Sequence, residues 1–410
     1  MKHFKTTELY KGIKVVSENL PYVKSFSLGF WFNIGSRDEN ESNNGICHFI
    51  EHILFKGTKT RKASDISNEI ESFGGEINAF TEKDHTCIYS HGYKTNLEKS
   101  FAVMSDMIQN SLFQEKDIIN EASIIVDEIK DYEDNPSIII YDKFEELLFN
   151  GDSLGFPILG KRKTVKNLTR SDLLKFFKNN YCSDNFVISA SGAVDHMELV
   201  GLTEKYFFQN FNISKERKQF RKNYKPKTFT KNKDTNQSYI VIGCPADGVT
   251  DPRRGEIILL STILGEGCGS RLFQILREEM GLAYQISSSI NFFSEVSAFS
   301  IYLSTHPKNI EKTLDIINKE LYKIRNFKVN SEELKRAKEY FKGSLLLSME
   351  NPTSRMNQAA QSLLYFNRVL PLKEIITNID SVNEKHIIEA ANRFLTETNL
   401  SKVIFYPNKK

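Results

Sequence analysis

Asn135-Pro136-Ser137, inside one helical region of the chain, is answered 216 residues later by Asn351-Pro352-Thr353 inside another. Around these two markers the same order of elements recurs in both halves. In the first half an alternating strand (Phe26, Leu28, Phe30, Phe32) leads to a helix carrying His48, Glu51 and His52, then to a helix near Ala63 to Phe73. A Gly74-Gly75 turn, two strands through His91 and a long helical region from about Leu97 to Phe149 follow. In the second half a strand at Tyr239 to Cys244 precedes helices at Glu256 to Leu264 and Arg271 to Glu279, a Gly281 turn, two strands up to Ser304, and helices nearly to the end. Each half closes on a short strand, Phe186 to Ala190 and Val403 to Tyr406, and a further strand is expected near Ile13 to Ser17. The order predicts an α+β protein built by duplication. The expected architecture is two homologous α/β-sandwich domains facing each other, each a mixed, largely antiparallel sheet covered by helices.

Between Lys215 and Lys233 the chain is rich in Lys, Arg and Asn, contains Pro226, and shows almost no apolar periodicity. Segment 215–236 reads as a solvated basic linker, which sets the domains at 1–214 and 237–410.

With 410 residues, 40% hydrophobic, 26% charged and a net charge of +3, the composition fits a soluble globular protein of two or more domains. Met1-Lys2-His3-Phe4-Lys5 lacks the apolar run of a signal peptide, and nothing else approaches the ~20 apolar residues that span a membrane. Five cysteines (Cys47, Cys87, Cys182, Cys244, Cys268), odd in number and without a CxxC pair, support neither a disulfide framework nor a thiolate zinc site. A reducing cytoplasm is the expected compartment. The near-balanced charge gives no reason to expect nucleic acid or an anionic membrane as a partner.

The chemistry sits in His48-Phe49-Ile50-Glu51-His52. On a helix, histidines four apart share a face and Glu51 points close beside them, an arrangement that holds zinc next to its own general base. The stretch is otherwise apolar, where an unliganded pair of imidazoles would be costly. A catalytic zinc takes three protein donors and leaves a fourth position open, so a third ligand is required. Glu121 and Glu128, seven apart and roughly 10 Å along one helix face, are the candidates, one to ligate and one to orient. Shifted by 216, the acidic positions become Ala337 and Ser344, and the helix opposite the histidines reads Gly255-Glu256-Ile257-Ile258-Leu259. Only the first half keeps metal chemistry. Gly265-Glu266-Gly267-Cys268-Gly269-Ser270 joins two predicted helices, and so lacks the strand-to-helix turn that aims backbone amides at a phosphate.

These residues carry a resemblance. The chain is similar to the pitrilysin or insulinase family of inverted-motif zinc peptidases, and to its half-sized members related to the mitochondrial processing peptidase. The matching stretches are Gly45-Ile46-Cys47-His48-Phe49-Ile50-Glu51-His52-Ile53-Leu54-Phe55-Lys56-Gly57-Thr58, then Gly74-Gly75-Glu76-Ile77-Asn78-Ala79-Phe80-Thr81, the pair Glu121 and Glu128, and Ser270-Arg271 to Arg277 through Gly281-Leu282-Ala283-Tyr284. The resemblance implies that His48, His52 and Glu128 hold one zinc per chain, that Glu51 is the general base, and that Glu121 supports the histidine network. It further implies that Arg277 grips a substrate carbonyl or carboxylate, that Tyr284 hydrogen-bonds the oxyanion, and that the strand at Asn78-Ala79 pairs with an extended substrate. The glycine-rich loop is short here, unlike that of the mitochondrial enzyme's non-catalytic subunit.

The expectation is therefore a zinc metalloendopeptidase acting on short, unstructured peptides within a closed chamber. A half-sized chain would work as a homodimer or as a heterodimer with a related chain. The alternative is a non-catalytic binding or assembly subunit, whose signature would be broken ligands.

Overall fold

Phe26, Leu28, Phe30 and Phe32 do line one face of a strand, and the residues between them are buried as well. A strand covered on both faces needs two apolar layers, and how the chain supplies the second decides the architecture.

The computed structural model describes residues 4–207, 217, 219–220, 224–327 and 329–408. Strands β1 (Phe4–Glu8), β2 (Lys14–Asn19), β3 (Ser25–Phe32), β4 (Glu76–Thr81), β5 (Thr86–Tyr93) and β6 (Phe186–Gly192) form one sheet, in the order β1-β2-β6-β3-β5-β4. Strands β7 (Thr228–Lys233), β8 (Ser238–Asp247), β9 (Ala283–Phe292), β10 (Val296–Thr305) and β11 (Ser401–Pro407) form the other, in the order β7-β11-β8-β10-β9. Each sheet has one parallel pair, β2 with β6 and β7 with β11, and is otherwise antiparallel. From β2 onward the first order maps strand for strand onto the second. This is the duplication expected from the sequence, with β1 as an unanticipated extra edge.

In the first sheet the four phenylalanine and leucine side chains of β3 share a core with Phe49, Ile50 and Ile53 of the helix Ile46–Leu54. The opposite face, centred on Trp31, is covered by Met356, Ala359, Ala360 and Leu363 of the helix Pro352–Phe366. The Trp31 indole N–H donates to the Met356 thioether at 3.2 Å. Gly29 is needed beneath this contact, since a Cβ there would come within 2.5 Å of the Met356 sulfur. In the second sheet the helix Pro136–Leu148 plays the same part, packing Ile140, Phe144 and Leu148 on Val241, Tyr302, Val403 and Phe405.

These two covering helices are the ones the repeated markers begin. Asn135 and Asn351 cap them by accepting the backbone N–H of Ser137 and Thr353, and Pro136 and Pro352 occupy the first turn, where a missing N–H costs nothing. The markers are thus helix starts. Each helix packs on the sheet encoded in the other half of the chain. One compact unit comprises Met1–Lys130, Phe156–Lys218 and Leu347–Leu370; the other comprises Asp131–Gly155, Gln219–Leu346 and Pro371–Lys410. The division therefore departs from the expected 1–214 and 237–410 in two exchanged helical segments. The cause is that each half carries sheet residues that are apolar on both faces.

Of the linker expected at 215–236, residues 215–216, 218 and 221–223 lie outside the described residues. Its later part is not linker but β7, a polar edge strand with Phe229 half-buried, paired in parallel with β11. Lys and Thr on an exposed edge are what sheets use to discourage further pairing, which is why the stretch read as solvated connector. The helix expected at Arg271 to Glu279 is α-helical over Arg271–Phe273 and widens to π-helical turns over Gln274–Glu279. Among the described residues no helix is long and apolar enough to cross a membrane.

Candidate metal centre

The helix Ile46–Leu54 begins at Gly45, whose φ of 96° and lack of a Cβ let it lie against Gly160, where a Cβ would meet the Gly160 Cα at 2.8 Å. Glycine has no capping side chain, and Glu39 supplies the cap from six residues upstream. Its carboxylate accepts the N–H groups of Gly45 at 2.7 Å and Cys47 at 2.9 Å, and the Asn44 amide at 2.8 Å. A buried acid at a helix N-terminus offsets the helix dipole. The sequence reading missed Glu39; an acid shortly before a helix that starts on glycine was the available signal. The Cys47 thiol is fully buried, donates to the Gly35 carbonyl, and is pushed well up by burial and then by the Glu39 charge, so it offers no thiolate to a metal.

Burial pushes the Glu39 carboxyl up to about 7 from 4.5, against the opposing pull of its N–H donors. The folded state then keeps a proton that the unfolded chain gives up, so this contribution to stability is present below about pH 4.5 and is lost as pH rises through 7. Urea unfolding of the wild type and of Glu39→Gln across this range should show the wild type losing roughly 3 kcal/mol relative to the variant. Parallel stability curves would contradict the assignment.

The structure brings His48, His52 and Glu128 together, with one potential ligand atom from each within 4.8 Å of the others. Nε2 of His48 and of His52 stand 3.8 and 3.7 Å from Oε2 of Glu128, which comes from the helix Glu115–Asp134. Tetrahedral zinc with ligand bonds of about 2.0–2.1 Å spaces its donors roughly 3.4 Å apart, so the donor set fits zinc with shifts of a few tenths of an ångström. Burial, and then the neighbouring His52, lowers the His48 pKa to about 3, leaving a neutral imidazole suited to ligation.

The two imidazoles are held differently. His52 Nδ1 lies 3.0 Å from Oε2 of the buried Glu121, which assigns the proton to Nδ1 and leaves the Nε2 lone pair facing Glu128. Among the described residues His48 Nδ1 is buried without a hydrogen-bond partner, so on that side the ring is held by packing. Glu51 accepts a hydrogen bond of 2.6 Å from the Thr81 hydroxyl at the end of β4. Its carboxyl is raised by burial against the opposing effects of Thr81 and His52, which makes it a stronger base.

Asn78 and Ala79 lie on β4, an edge of the first sheet, and the Asn78 side-chain oxygen accepts the Ala79 N–H at 2.8 Å. Arg277 and Tyr284 belong to the other compact unit. Arg277 is exposed, lies over the Phe273 ring and donates to the Tyr284 carbonyl, while the Tyr284 side chain is 55% exposed at the start of the edge strand β9. Among the described residues, only His48, His52 and Glu128 gather as metal-binding side chains, so the second unit has none.

A duplicated α+β unit with the HxxEH helix in one copy alone is the arrangement of an inverted-motif metallopeptidase. The sequence matches the family models "Insulinase (Peptidase family M16)" over residues 14–162 and "Peptidase M16 inactive domain" over residues 167–341. An uncharacterized zinc protease of Rickettsia bellii is 33% identical over 409 residues, with 98% of each chain covered. The chain belongs to peptidase family M16, the pitrilysin and insulinase type, as a half-sized member. In fold it resembles a protease from Helicobacter pylori (TM-score 0.93, 22% identical, covering 98% of this chain and 99% of that one). It also resembles a peptidase M16 inactive domain from Pseudomonas fluorescens (TM-score 0.90, 18% identical, covering 99% and 98%).

Proposed function

We propose that the protein is a zinc-dependent endopeptidase that cuts short unstructured peptides or extended segments. The observation that carries this reading is the convergence of His48, His52 and Glu128 beside Glu51, a half-buried carboxylate already hydrogen-bonded to the edge strand β4 through Thr81. Base and candidate peptide-docking strand are thereby held in register.

Zinc, when bound by His48, His52 and Glu128, supplies Lewis-acid polarisation of the scissile carbonyl and lowers the pKa of water toward 7. Glu51 takes the proton of the attacking water and delivers it to the leaving amine, a task its raised basicity suits. An extended substrate adds to β4 by backbone hydrogen bonds, for which the Asn78 side chain must release the Ala79 N–H. Family resemblance supports assigning Arg277 to a substrate carbonyl or carboxylate and Tyr284 to the oxyanion. It also supports one zinc per chain and a homodimer or a heterodimer with a related chain as the working unit, while the five scattered cysteines favour a cytoplasmic setting.

Mixed unstructured peptides should be incubated with zinc-loaded and with metal-stripped chain, and the products mapped by mass spectrometry. Cleavage by the zinc-loaded chain alone supports the proposal and reveals its preference. Cleavage by neither would sink a self-sufficient peptidase and favour the non-catalytic binding or assembly subunit.

A further inference from the structure

Glu121 is a buried carboxylate with two oxygens and two partners. Oε2 faces His52 Nδ1 at 3.0 Å, and Oε1 meets the Lys56 ammonium at 2.7 Å. Lys56 stands four residues after His52, one position beyond the C-cap Phe55, so its side chain rises on the same side of the chain as the imidazole. We propose that Lys56 is a positioning residue for the metal centre, acting through Glu121 to fix the orientation of His52. The inference rests on the zinc reading above and adds a residue to it.

The geometry argues against an ordinary surface ion pair. Such pairs contribute little because both partners are solvated and mobile, but the Glu121 side chain is only 4% exposed and its second oxygen is committed to a candidate metal ligand. Without Lys56, Oε1 would be left buried and unpaired, and the carboxylate would gain by turning to find another donor. The nearest consequence is loss of the His52 contact. That contact sets which imidazole nitrogen carries the proton and which way the ring points. Among the described residues His48 Nδ1 has no hydrogen-bond partner, so His52 is the imidazole of the pair that is held through this chain of contacts.

The Lys56 backbone is itself held. Its N–H bonds the Ile53 carbonyl, and the loop that follows is gathered on the buried Asp106 carboxylate. Asp106 accepts Thr58 Oγ1 at 2.5 Å, Thr60 Oγ1 at 2.8 Å and Arg61 Nη1 at 2.9 Å. A cation reaching from an anchored backbone can fix a carboxylate rotamer at little further entropic cost.

The test is zinc affinity, by competition with a chromogenic chelator, for the wild type, Lys56→Met, Lys56→Arg, Glu121→Gln and the double variant Lys56→Met/Glu121→Gln. Outer contacts of metal-binding histidines contribute about 10–100-fold in affinity. Lys56→Met should therefore weaken zinc by about 10-fold or more, and Lys56→Arg should restore most of it. On the Glu121→Gln background, Lys56→Met should cost less than about 2-fold, because an indirect effect vanishes with its intermediary. The visible spectrum of the cobalt-substituted protein should change in Lys56→Met, which a loss of fold stability alone would not produce. Wild-type affinity in Lys56→Met overturns the proposal, as does an undiminished penalty on the Glu121→Gln background. Failure of the wild type to bind zinc at all would sink the peptidase reading as well, which distinguishes the two failures.

Discussion

Glu51→Gln should keep the metal and lose turnover. Glutamine fills the same volume and can still accept the Thr81 hydroxyl, so the helix and its histidines are undisturbed. What disappears is the ability to take a proton, and positioned general bases contribute roughly 10²–10⁴-fold. We expect kcat on a fluorogenic unstructured peptide to fall by that amount, while zinc content by elemental analysis stays that of the wild type. Turnover retained by the variant would remove Glu51 from the role of base. Loss of zinc together with activity would mean that the carboxylate supports the site instead of acting in it.

Glu128→Ala should do the reverse, abolishing zinc binding while leaving the fold intact. One of three donors is removed, a larger loss than that of an outer contact, so affinity should fall by more than about 100-fold. The Glu128 side chain is 44% exposed, and its candidate metal partners stand 3.7 and 3.8 Å away. Unfolding of the metal-free variant should therefore stay within about 0.5 kcal/mol of the metal-free wild type. A variant that still binds zinc tightly would send the search for the third donor elsewhere. Together the two substitutions separate proton transfer from metal retention.

Much of this was legible in the sequence because the signals are periodic. The strand of Phe26, Leu28, Phe30 and Phe32, the turn glycines and the Asn-Pro markers recur in the same order in both halves, and that was enough to predict a duplicated α+β protein. Histidines four apart and acids seven apart could be placed on helix faces by arithmetic, and the structure does bring His48, His52 and Glu128 together. What the sequence hid has no period. Glu39 reaches the start of the histidine helix through an irregular loop. The Lys56 ammonium matters only once Glu121, far along the chain, is seen to be buried against it. Strand β7 was masked by the lysines that protect its edge. The destination of the two Asn-Pro helices was equally invisible, because capping chemistry says where a helix begins and nothing of which sheet it will cover.

That destination matters while the chain is being made. The apolar face around Trp31 is built from Val16, Trp31, Cys87 and Val187, yet its cover, Met356 to Leu363, is made long after all four. Strands β1 to β6 are complete once residue 192 has been made, but their sheet stays bare on one side until more than 150 further residues have been added. Contacts of such long sequence separation are slow to form, and exposed apolar sheet invites aggregation in the interval. A nascent chain of this design should therefore depend on chaperones that hold apolar surface, and a stop codon anywhere before Pro352 should yield insoluble product instead of a folded first half.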